Sequence, residues 1–279
     1  MRRQGDSAVF DFYDRNPIGE AQVMAVLRHR GQVAGARVDP EDLFDLDQDH
    51  YGGPAAVGTL AARAGVRAGS RVLDVCAGLA GPARVLAHRR GCRVVACELH
   101  HGRAAGGARL TRLVGLAGRV AMVRADARTL PFRAGSFDAC LSQEGLLHVD
   151  DKAVVLAECR RVLVAGGRLA FTDWIAFPRL SERERRYLWR WMAATTLQTL
   201  EGYRTLLGRA GFRAIEAADV SAEWRPLLRD RAARFRARRA EIVATLGMAR
   251  HDEYRQLFTF FLGLVEAGKL GGGRFTATH

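Results

Sequence analysis

The most informative stretch of the chain is VLDVCAGLAG, residues 72–81. An apolar run of β-strand character ends in an acid and is followed by a turn of small residues, and a helical pattern begins near Pro82. Small residues in such a turn let the backbone approach a ligand closely. The stretch therefore predicts a strand, a ligand-binding turn and a helix, in that order.

The alternation of strand and helix continues beyond this stretch. Predicted strands are RVLDV (71–75), RVVACE (93–98), VAMVRAD (120–126), FDACLSQ (137–143) and RLAFTDWIAF (168–177), and predicted helices lie near 82–90, 102–117 and 152–163. Strands that alternate with helices form βαβ units, which build a parallel sheet with helices on both faces. We therefore predict an α/β fold.

Mainly helical segments flank this core and define the predicted domains. Residues 1–50 have a helical apolar period and end in a turn-rich passage, which predicts an N-terminal helical cap. Residues 51–177 form the predicted ligand-binding core. Residues 178–279 predict a helical lid, with the last strands of the sheet near 212–220 and 273–279. We place the lid over the carboxyl edge of the sheet, where open α/β sheets bind ligands.

Composition excludes several classes of protein. Of the 279 residues, 48% are hydrophobic and 26% charged, values that exclude a disordered or collagen-like chain. No apolar run is long enough for a membrane span, and the first residues lack a secretory signal. We therefore expect a cytoplasmic protein that does not bind a membrane. The net charge of +13 comes from arginine, since Lys152 and Lys269 are the only lysines, a bias that GC-rich codon usage produces. The five cysteines lie mostly in apolar runs and are expected to be reduced core thiols.

Acidic residues end three of the predicted strands. Glu98 follows Asp74 by about 20 residues, where dinucleotide-binding folds use an acid to accept hydrogen bonds from ribose hydroxyls. Asp126, after the third strand, can pair with the exocyclic amine of adenine. A pyrophosphate would need a G-x-G-x-x-G turn, whereas an acid at Asp74 suits an amino-acid ammonium. The three strand ends therefore describe a site for an adenosine cofactor other than a dinucleotide.

These residues, with PF at 131–132, SFD at 136–138 and GG at 166–167, resemble class I S-adenosylmethionine-dependent methyltransferases over about residues 70–176. The resemblance implies a Rossmann-like sheet, S-adenosylmethionine as cofactor, S-adenosylhomocysteine as product, and no metal. At Cys76 the chain differs from many members, which have glycine there. This difference affects the backbone conformation of the loop after the first strand. The cofactor-binding residues that the resemblance implies are Asp74, Ala77, Gly78, Gly81, Glu98, Leu99, Asp126, Ala127 and Gln143.

A second resemblance concerns the methyl acceptor. DQDHYGG (47–53), SQEGLLHV (142–149), TDW (172–174) and GKLGGGRF (268–275) resemble the branch of small-molecule N-methyltransferases that includes sarcosine and dimethylglycine methyltransferases. Phosphoethanolamine-type enzymes are more distant relatives. The resemblance implies methyl transfer to the nitrogen of a small amine or amino acid such as glycine, sarcosine or dimethylglycine. An O- or C-methyltransferase of natural-product biosynthesis is the alternative, because one fold and one set of cofactor motifs serve all these acceptors.

Candidate catalytic residues follow from the chemistry of methyl transfer. An unprotonated amine needs positioning and exclusion of water more than acid–base help, but the neutral amine must still be bound or generated. His148 is the candidate general base, and Tyr51 is the candidate to orient the donor or acceptor, although each could also serve only in packing. Aromatic faces bind methylated ammonium groups and arginines bind carboxylates. The candidate substrate-binding residues are Tyr51, Gln143, Asp173, Trp174, Arg204 and Arg274.

Other functions have weaker support in the sequence. The basic stretch at 229–239 could grip phosphates in an RNA or DNA methyltransferase, but residues 141–144 lack the motif that stacks a flipped base. We therefore interpret this stretch as a solvated face of the lid and expect no nucleic acid. Cys92, Cys97, His100 and His101 have no common zinc spacing, so no metal is expected. The intact cofactor motifs disfavour a non-catalytic binding protein. We expect a small-molecule substrate and a monomer or homodimer.

Overall fold

The computed structural model describes residues 4–14, 19–32 and 38–279. Seven strands form one sheet: β1 (Arg71–Val75), β2 (Arg93–Glu98), β3 (Val120–Arg124), β4 (Phe137–Gln143), β5 (Leu163–Ala176), β6 (Arg213–Asp219) and β7 (Leu270–Thr278). Their order across the sheet is β3-β2-β1-β4-β5-β7-β6. The order reverses between β1 and β4, and the crevice outside the carboxyl ends of these strands is the position at which open α/β sheets bind ligands.

The sheet is parallel from β3 to β5 and antiparallel around β7. β7 pairs in the opposite direction with both β5 and β6, whereas the sequence predicted a parallel sheet. The register explains the difference, because Leu270 at the start of β7 pairs with Ala176 at the end of β5. The chain therefore enters β7 at the carboxyl edge and has to run back through the sheet.

Helices cover both faces of the sheet. They are α1 (Gln4–Asp14), α2 (Glu20–His29), α3 (Gly53–Arg63), α4 (Gly81–Arg90), α5 (His101–Leu113), α6 (Lys152–Val162), α7 (Glu182–Met192), α8 (Leu200–Arg209), α9 (Ser221–Ala237), α10 (Arg239–Leu246) and α11 (Met248–Glu266). Short 3-10 helices span Pro40–Leu43 and Leu146–His148. Within the predicted helical lid, α9 and α10 are separate helices, because the backbone leaves helical geometry at Arg238.

Alternate residues of the strands feed two hydrophobic cores. Val72 of β1 packs with α3, α4 and α5 on one face, while Leu73 packs with α6 and α8 on the other. A third core joins α7, α9 and α11 to Trp174 near the carboxyl end of β5. All five cysteines are free thiols. None of the helices in the described ranges combines the length and hydropathy needed to cross a membrane.

A buried ion pair fixes the segment before α3 to the sheet edge. Arg84 of α4 and Asp47 are both fully buried, and the guanidinium donates to Asp47 Oδ2 through Nη2 (2.6 Å) and Nε (3.1 Å). The same guanidinium donates to Gly107 O (3.2 Å) and to Thr111 Oγ1 (2.9 Å) of α5. This network places the residues that follow Asp47 beside the carboxyl ends of β1 and β4.

Candidate active site

Strained backbone marks the carboxyl edge of the sheet. Among the described residues, five non-glycine residues have positive φ, and four of them lie in loops at this edge. Such conformations cost energy for residues with a side chain and cluster at functional sites. The four are Cys76 (φ 59°), Ala80 (φ 60°), Glu144 (φ 46°) and Ala193 (φ 46°).

Asp74 and Glu98 lie on either side of the turn after β1. Asp74 is 2% exposed, and its Oδ2 is buried without a hydrogen-bond partner among the described residues. Burial, together with the negative charge of Glu98, raises the pKa of Asp74 to about 7. The Glu98 carboxylate accepts hydrogen bonds from Gly78 N and His100 N, each at 2.8 Å. Each Glu98 oxygen keeps a second lone pair for a ligand hydroxyl.

Arg103 of α5 lies directly over the turn. Gly78 has a φ of +55°, which disfavours residues with a side chain, and a Cβ there would lie 2.8 Å from Arg103 Nη2, so the guanidinium would have to shift. Arg103 donates to Asp49 Oδ2 at 2.9 Å, and its guanidinium carbon lies 4.4 Å from the centroid of the Tyr13 ring. The turn is thus flanked by a carboxylate and a guanidinium, which together complement the ammonium and carboxylate of an amino acid.

The predicted adenine-binding residue has a side-chain partner in the structure. Arg128 holds Asp126 through Nε (3.0 Å) and Nη2 (2.7 Å) and also donates to Asp150 Oδ1 at 3.0 Å. Ala127 is buried beside this pair. The structure thus places Asp126 at the expected strand end, with its carboxylate in an ion pair that the sequence did not indicate.

His148 forms a hydrogen-bonded pair with Tyr13 of α1. The Tyr13 hydroxyl lies 2.9 Å from His148 Nε2, and His148 Nδ1 lies 3.2 Å from Ala193 O. A carbonyl only accepts, so we assign the proton to Nδ1 and the lone pair to Nε2, where the Tyr13 hydroxyl donates. Burial lowers the pKa of His148 to about 4 and raises the pKa of Tyr13 well above its usual range. The pair is therefore neutral at pH 7.

Three aromatic rings form a wall on the acceptor side of the site. Their centroids lie 5.5 Å apart for Tyr51 and Trp174, 4.9 Å for Tyr51 and Trp224, and 5.1 Å for Trp174 and Trp224. We call these three residues the aromatic wall. Glu144 Oε2 accepts from Tyr51 N at 2.7 Å, which fixes the wall to the end of β4. Burial raises the pKa of Tyr51 to about 12, so its hydroxyl is protonated at neutral pH.

The other predicted acceptor residues have varied surroundings. Gln143 Nε2 lies 2.9 Å from the His50 ring, beside the aromatic wall. Asp173 is fully buried and accepts from Leu147 N and from the Tyr203 hydroxyl, so it supports the loop that carries His148. The two predicted arginines bind elsewhere: Arg204 donates to Ala217 O of β6 at 3.2 Å, and Arg274 donates to Glu223 Oε1 of α9 at 2.6 Å.

Tyr13, Arg103 and Trp224 are site residues that the sequence did not indicate. Tyr13 and Trp224 lie on helices distant in sequence from the strand ends that they meet, whereas Arg103 lies on the helix that directly follows β2, and none of the three belongs to a short motif. Within the described ranges, no three His, Cys, Asp or Glu side chains are placed so as to hold a metal ion.

Comparison with known proteins finds similarity to methyltransferases. A family described as a methyltransferase domain matches residues 73–171. The chain is 34% identical to methyltransferase GfsG of Streptomyces halstedii over 59% of this chain and 60% of that protein. It is 30% identical to a glycine/sarcosine/dimethylglycine N-methyltransferase of Actinopolyspora halophila over 75% of this chain and 37% of that protein. The chain thus spans less than two thirds of either relative.

Other relatives are named as O- or C-methyltransferases. Among solved structures, phosphoethanolamine N-methyltransferase 2 of Haemonchus contortus, in complex with phosphomonomethylethanolamine and S-adenosylhomocysteine, superposes with a TM-score of 0.81 at 21% identity. The superposition covers 97% of this chain and 59% of that chain. This similarity shows that the two chains share a fold.

Proposed function

We propose that the chain transfers a methyl group from S-adenosylmethionine to the nitrogen of a small amine or amino acid, starting from the match of residues 73–171 to a family described as a methyltransferase domain. One observation carries the cofactor part of the proposal: the turn at Gly78 lies between Asp74, whose Oδ2 is buried without a hydrogen-bond partner among the described residues, and the guanidinium of Arg103. The released product would be S-adenosylhomocysteine.

The residues around the turn fit the proposed cofactor. Asp74 would accept the ammonium, Arg103 would hold the carboxylate, and the free lone pairs of Glu98 would take the ribose hydroxyls. Asp126 and Ala127 would face the adenine, with Arg128 fixing the Asp126 carboxylate. When bound, the cofactor supplies an electrophilic methyl group on a sulfonium.

The chain's own residues would orient the acceptor and move its proton. An acceptor nitrogen that has to lose a proton can give it to Tyr13 Oη while the Tyr13 proton moves to His148 Nε2. The Ala193 carbonyl holds His148 Nδ1–H throughout, which keeps the Nε2 lone pair directed at Tyr13. Because burial disfavours the imidazolium, His148 would hold the proton only briefly. The aromatic wall excludes water and faces positive charge on a methylated nitrogen.

The N-methyl proposal is supported by the relatives, one of which is named for glycine, sarcosine and dimethylglycine. A test incubates the purified protein with methyl-labelled S-adenosylmethionine and glycine, sarcosine, dimethylglycine, phenols or carbon acids. We expect labelled N-methyl products and release of S-adenosylhomocysteine. Turnover only on oxygen or carbon acceptors would overturn the nitrogen assignment.

The cofactor site has a separate test by calorimetry. Asp74→Ala and Glu98→Ala should each abolish detectable binding of S-adenosylmethionine. Asp138→Ala is the matched control, since Asp138 is an exposed carboxylate that pairs with Arg71. Wild-type affinity in both site variants would refute the assignment.

Methyl transfer to an oxygen is the second candidate function. The aromatic wall favours it, because aromatic rings also pack well against a phenol, and the Tyr13–His148 pair could take the hydroxyl proton. Several relatives are named for oxygen acceptors. The acceptor panel separates the two candidates directly. The oligomeric state, expected to be a monomer or homodimer, stays a prediction. The expected absence of nucleic-acid binding stays a prediction as well.

A further inference from the structure

One arginine of the basic stretch at 229–239 faces the acceptor side of the site. Arg231 of α9 is half-buried, and its guanidinium carbon lies 4.7 Å from the centroid of the Tyr51 ring. Its Nη2 lies 3.4 Å from His50 O. Arg231 shares a helix face with Trp224 and Leu228, both buried, since positions i, i+4 and i+7 lie on one side of a helix.

Neighbouring arginines of α9 are paired on the outer surface. Arg229 Nε lies 2.8 Å from Glu266 Oε1, and Arg234 pairs with Asp230 one turn away. Arg231 has no carboxylate within ion-pair distance in the part of the chain that the structure describes. A guanidinium has five N–H donors in a planar fork, so Arg231 keeps donors available for an anion from outside the chain.

Glu144 lies on the same side of the site as Arg231, and both of its oxygens accept hydrogen bonds from other residues. Oε2 accepts from Tyr51 N, and Oε1 accepts from Thr172 Oγ1. Burial raises the pKa of Glu144 to about 7, and the charge of Arg231 acts in the opposite direction. The imidazole of His50 also faces Arg231 but is neutral, because burial lowers its pKa to about 4. The local charge therefore leaves Arg231 without a full counter-ion.

We infer that Arg231 binds a carboxylate of the methyl acceptor and so selects amino acids over simple amines. This inference rests on the proposed function. Arg231 and Trp174 contact the same ring, that of Tyr51, at 4.7 Å and 5.5 Å. Arg231 therefore lies on the same side of the site as Trp174, so an acceptor whose carboxylate met Arg231 would have its nitrogen near the aromatic wall.

The geometry favours a carboxylate over a phosphate ester. A guanidinium fork matches the two oxygens of a carboxylate, and one guanidinium balances one negative charge. Two other cations on this side of the described chain are engaged, since Arg274 binds Glu223 and Lys152 donates to Val149 O and to both oxygens of Thr196. The charge of Arg231 therefore matches a carboxylate more closely than a dianionic phosphate ester.

The test compares two ligands that differ only in charge: N,N-dimethylglycine and the neutral N,N-dimethylglycinamide. Binding is followed by the fluorescence of the tryptophans in the aromatic wall, with and without S-adenosylhomocysteine. We expect Arg231→Met to weaken dimethylglycine about tenfold or more and to change the amide less than twofold. Arg231→Lys should restore part of the affinity. Arg229→Met, on the outer surface of the same helix, should behave as wild type.

Several outcomes would overturn the assignment. Equal weakening of both ligands by Arg231→Met would show that Arg231 only packs on Tyr51. No preference of the wild type for dimethylglycine, or no binding of either ligand, would also overturn it. Tighter binding of phosphocholine, lost in Arg231→Met, would replace the carboxylate with a phosphate ester. A separate titration with S-adenosylhomocysteine tests the proposed function. If S-adenosylhomocysteine does not bind, the proposed function fails, but the two ligands can still be compared in the absence of cofactor.

Discussion

Asp74 should make the binding of S-adenosylhomocysteine depend on pH in a defined direction. Burial and the charge of Glu98 raise the pKa of the Asp74 carboxyl to about 7. The ammonium of the ligand pairs only with the ionised carboxylate, so a protonated Asp74 has to lose its proton before it binds. Affinity should therefore rise as the pH rises to 7 and level off above that value.

The size of the effect follows from the fraction of Asp74 that is ionised. With a pKa of about 7, about 3% of the carboxyl is ionised at pH 5.5 and about 76% at pH 7.5, so the affinity should increase about 25-fold. The stability of the ligand-free protein should change in the opposite direction. Because the folded state raises the pKa of Asp74, it binds the proton more tightly than the unfolded chain, and this contribution to stability is lost as pH rises from about 4 to 7.

Calorimetric titrations at several pH values between 5.5 and 7.5 measure this dependence. Asp74→Asn keeps the volume and removes the charge, so it should bind more weakly and show no such slope. Asp138→Asn is the control, because Asp138 is partly exposed and its hydrogen bond with Arg71 lowers its pKa. A flat profile in the wild type, or an unchanged slope in Asp74→Asn, would refute the role of Asp74.

Three further predictions concern other residues of the site and its support. Tyr13→Phe should lower kcat about a hundredfold without changing the affinity for S-adenosylhomocysteine, because it removes the hydroxyl that donates to His148. An unchanged kcat would exclude the Tyr13–His148 pair from the mechanism. Gly78→Ala should weaken calorimetric cofactor binding, because the positive φ disfavours a side chain and the new Cβ would displace the Arg103 guanidinium, and unchanged binding would contradict this packing. Arg84→Met should lower the free energy of unfolding, measured in urea, by about 3–5 kcal/mol, because it leaves the buried carboxylate of Asp47 without its partner. A loss below about 1 kcal/mol would refute that account.

The strands and the cofactor side of the site were predictable because their signals are local. An apolar run ending in an acid, followed by small residues, places Asp74 at the end of β1 and Glu98 at the end of β2. Parallel pairing in register, with Asp74 opposite Ala96, then brings both acids to the same edge. The direction of β7 had no such signal, because the residues of a terminal strand do not indicate the edge from which the chain enters.

The acceptor side depends on packing between elements far apart in sequence. Tyr13 and His148 are 135 residues apart, and their hydrogen bond exists only because α1 covers the loop after β4. Arg231 did have a local signal: it follows Trp224 and Leu228 at helical spacing, so one arginine of a basic stretch falls on the buried face. The net charge of the chain does not reveal this position, because it counts Arg231 together with the solvated arginines beside it.

The charge balance of the site bears on the choice between nitrogen and oxygen acceptors. Transfer from a sulfonium to a neutral amine moves a positive charge onto nitrogen, whereas transfer to a phenolate removes both charges. The aromatic wall would stabilise the first product, since ring faces attract cations by about 0.5–2 kcal/mol per contact. A carboxylate on Arg231 would also balance the new ammonium. Under the proposed function, the ring contacts and Arg231 would act together on an amino acid, whereas a phenol would meet the ring contacts and the Tyr13–His148 pair without a partner for Arg231. The difference between the two acceptors therefore lies in the charge that Arg231 would balance.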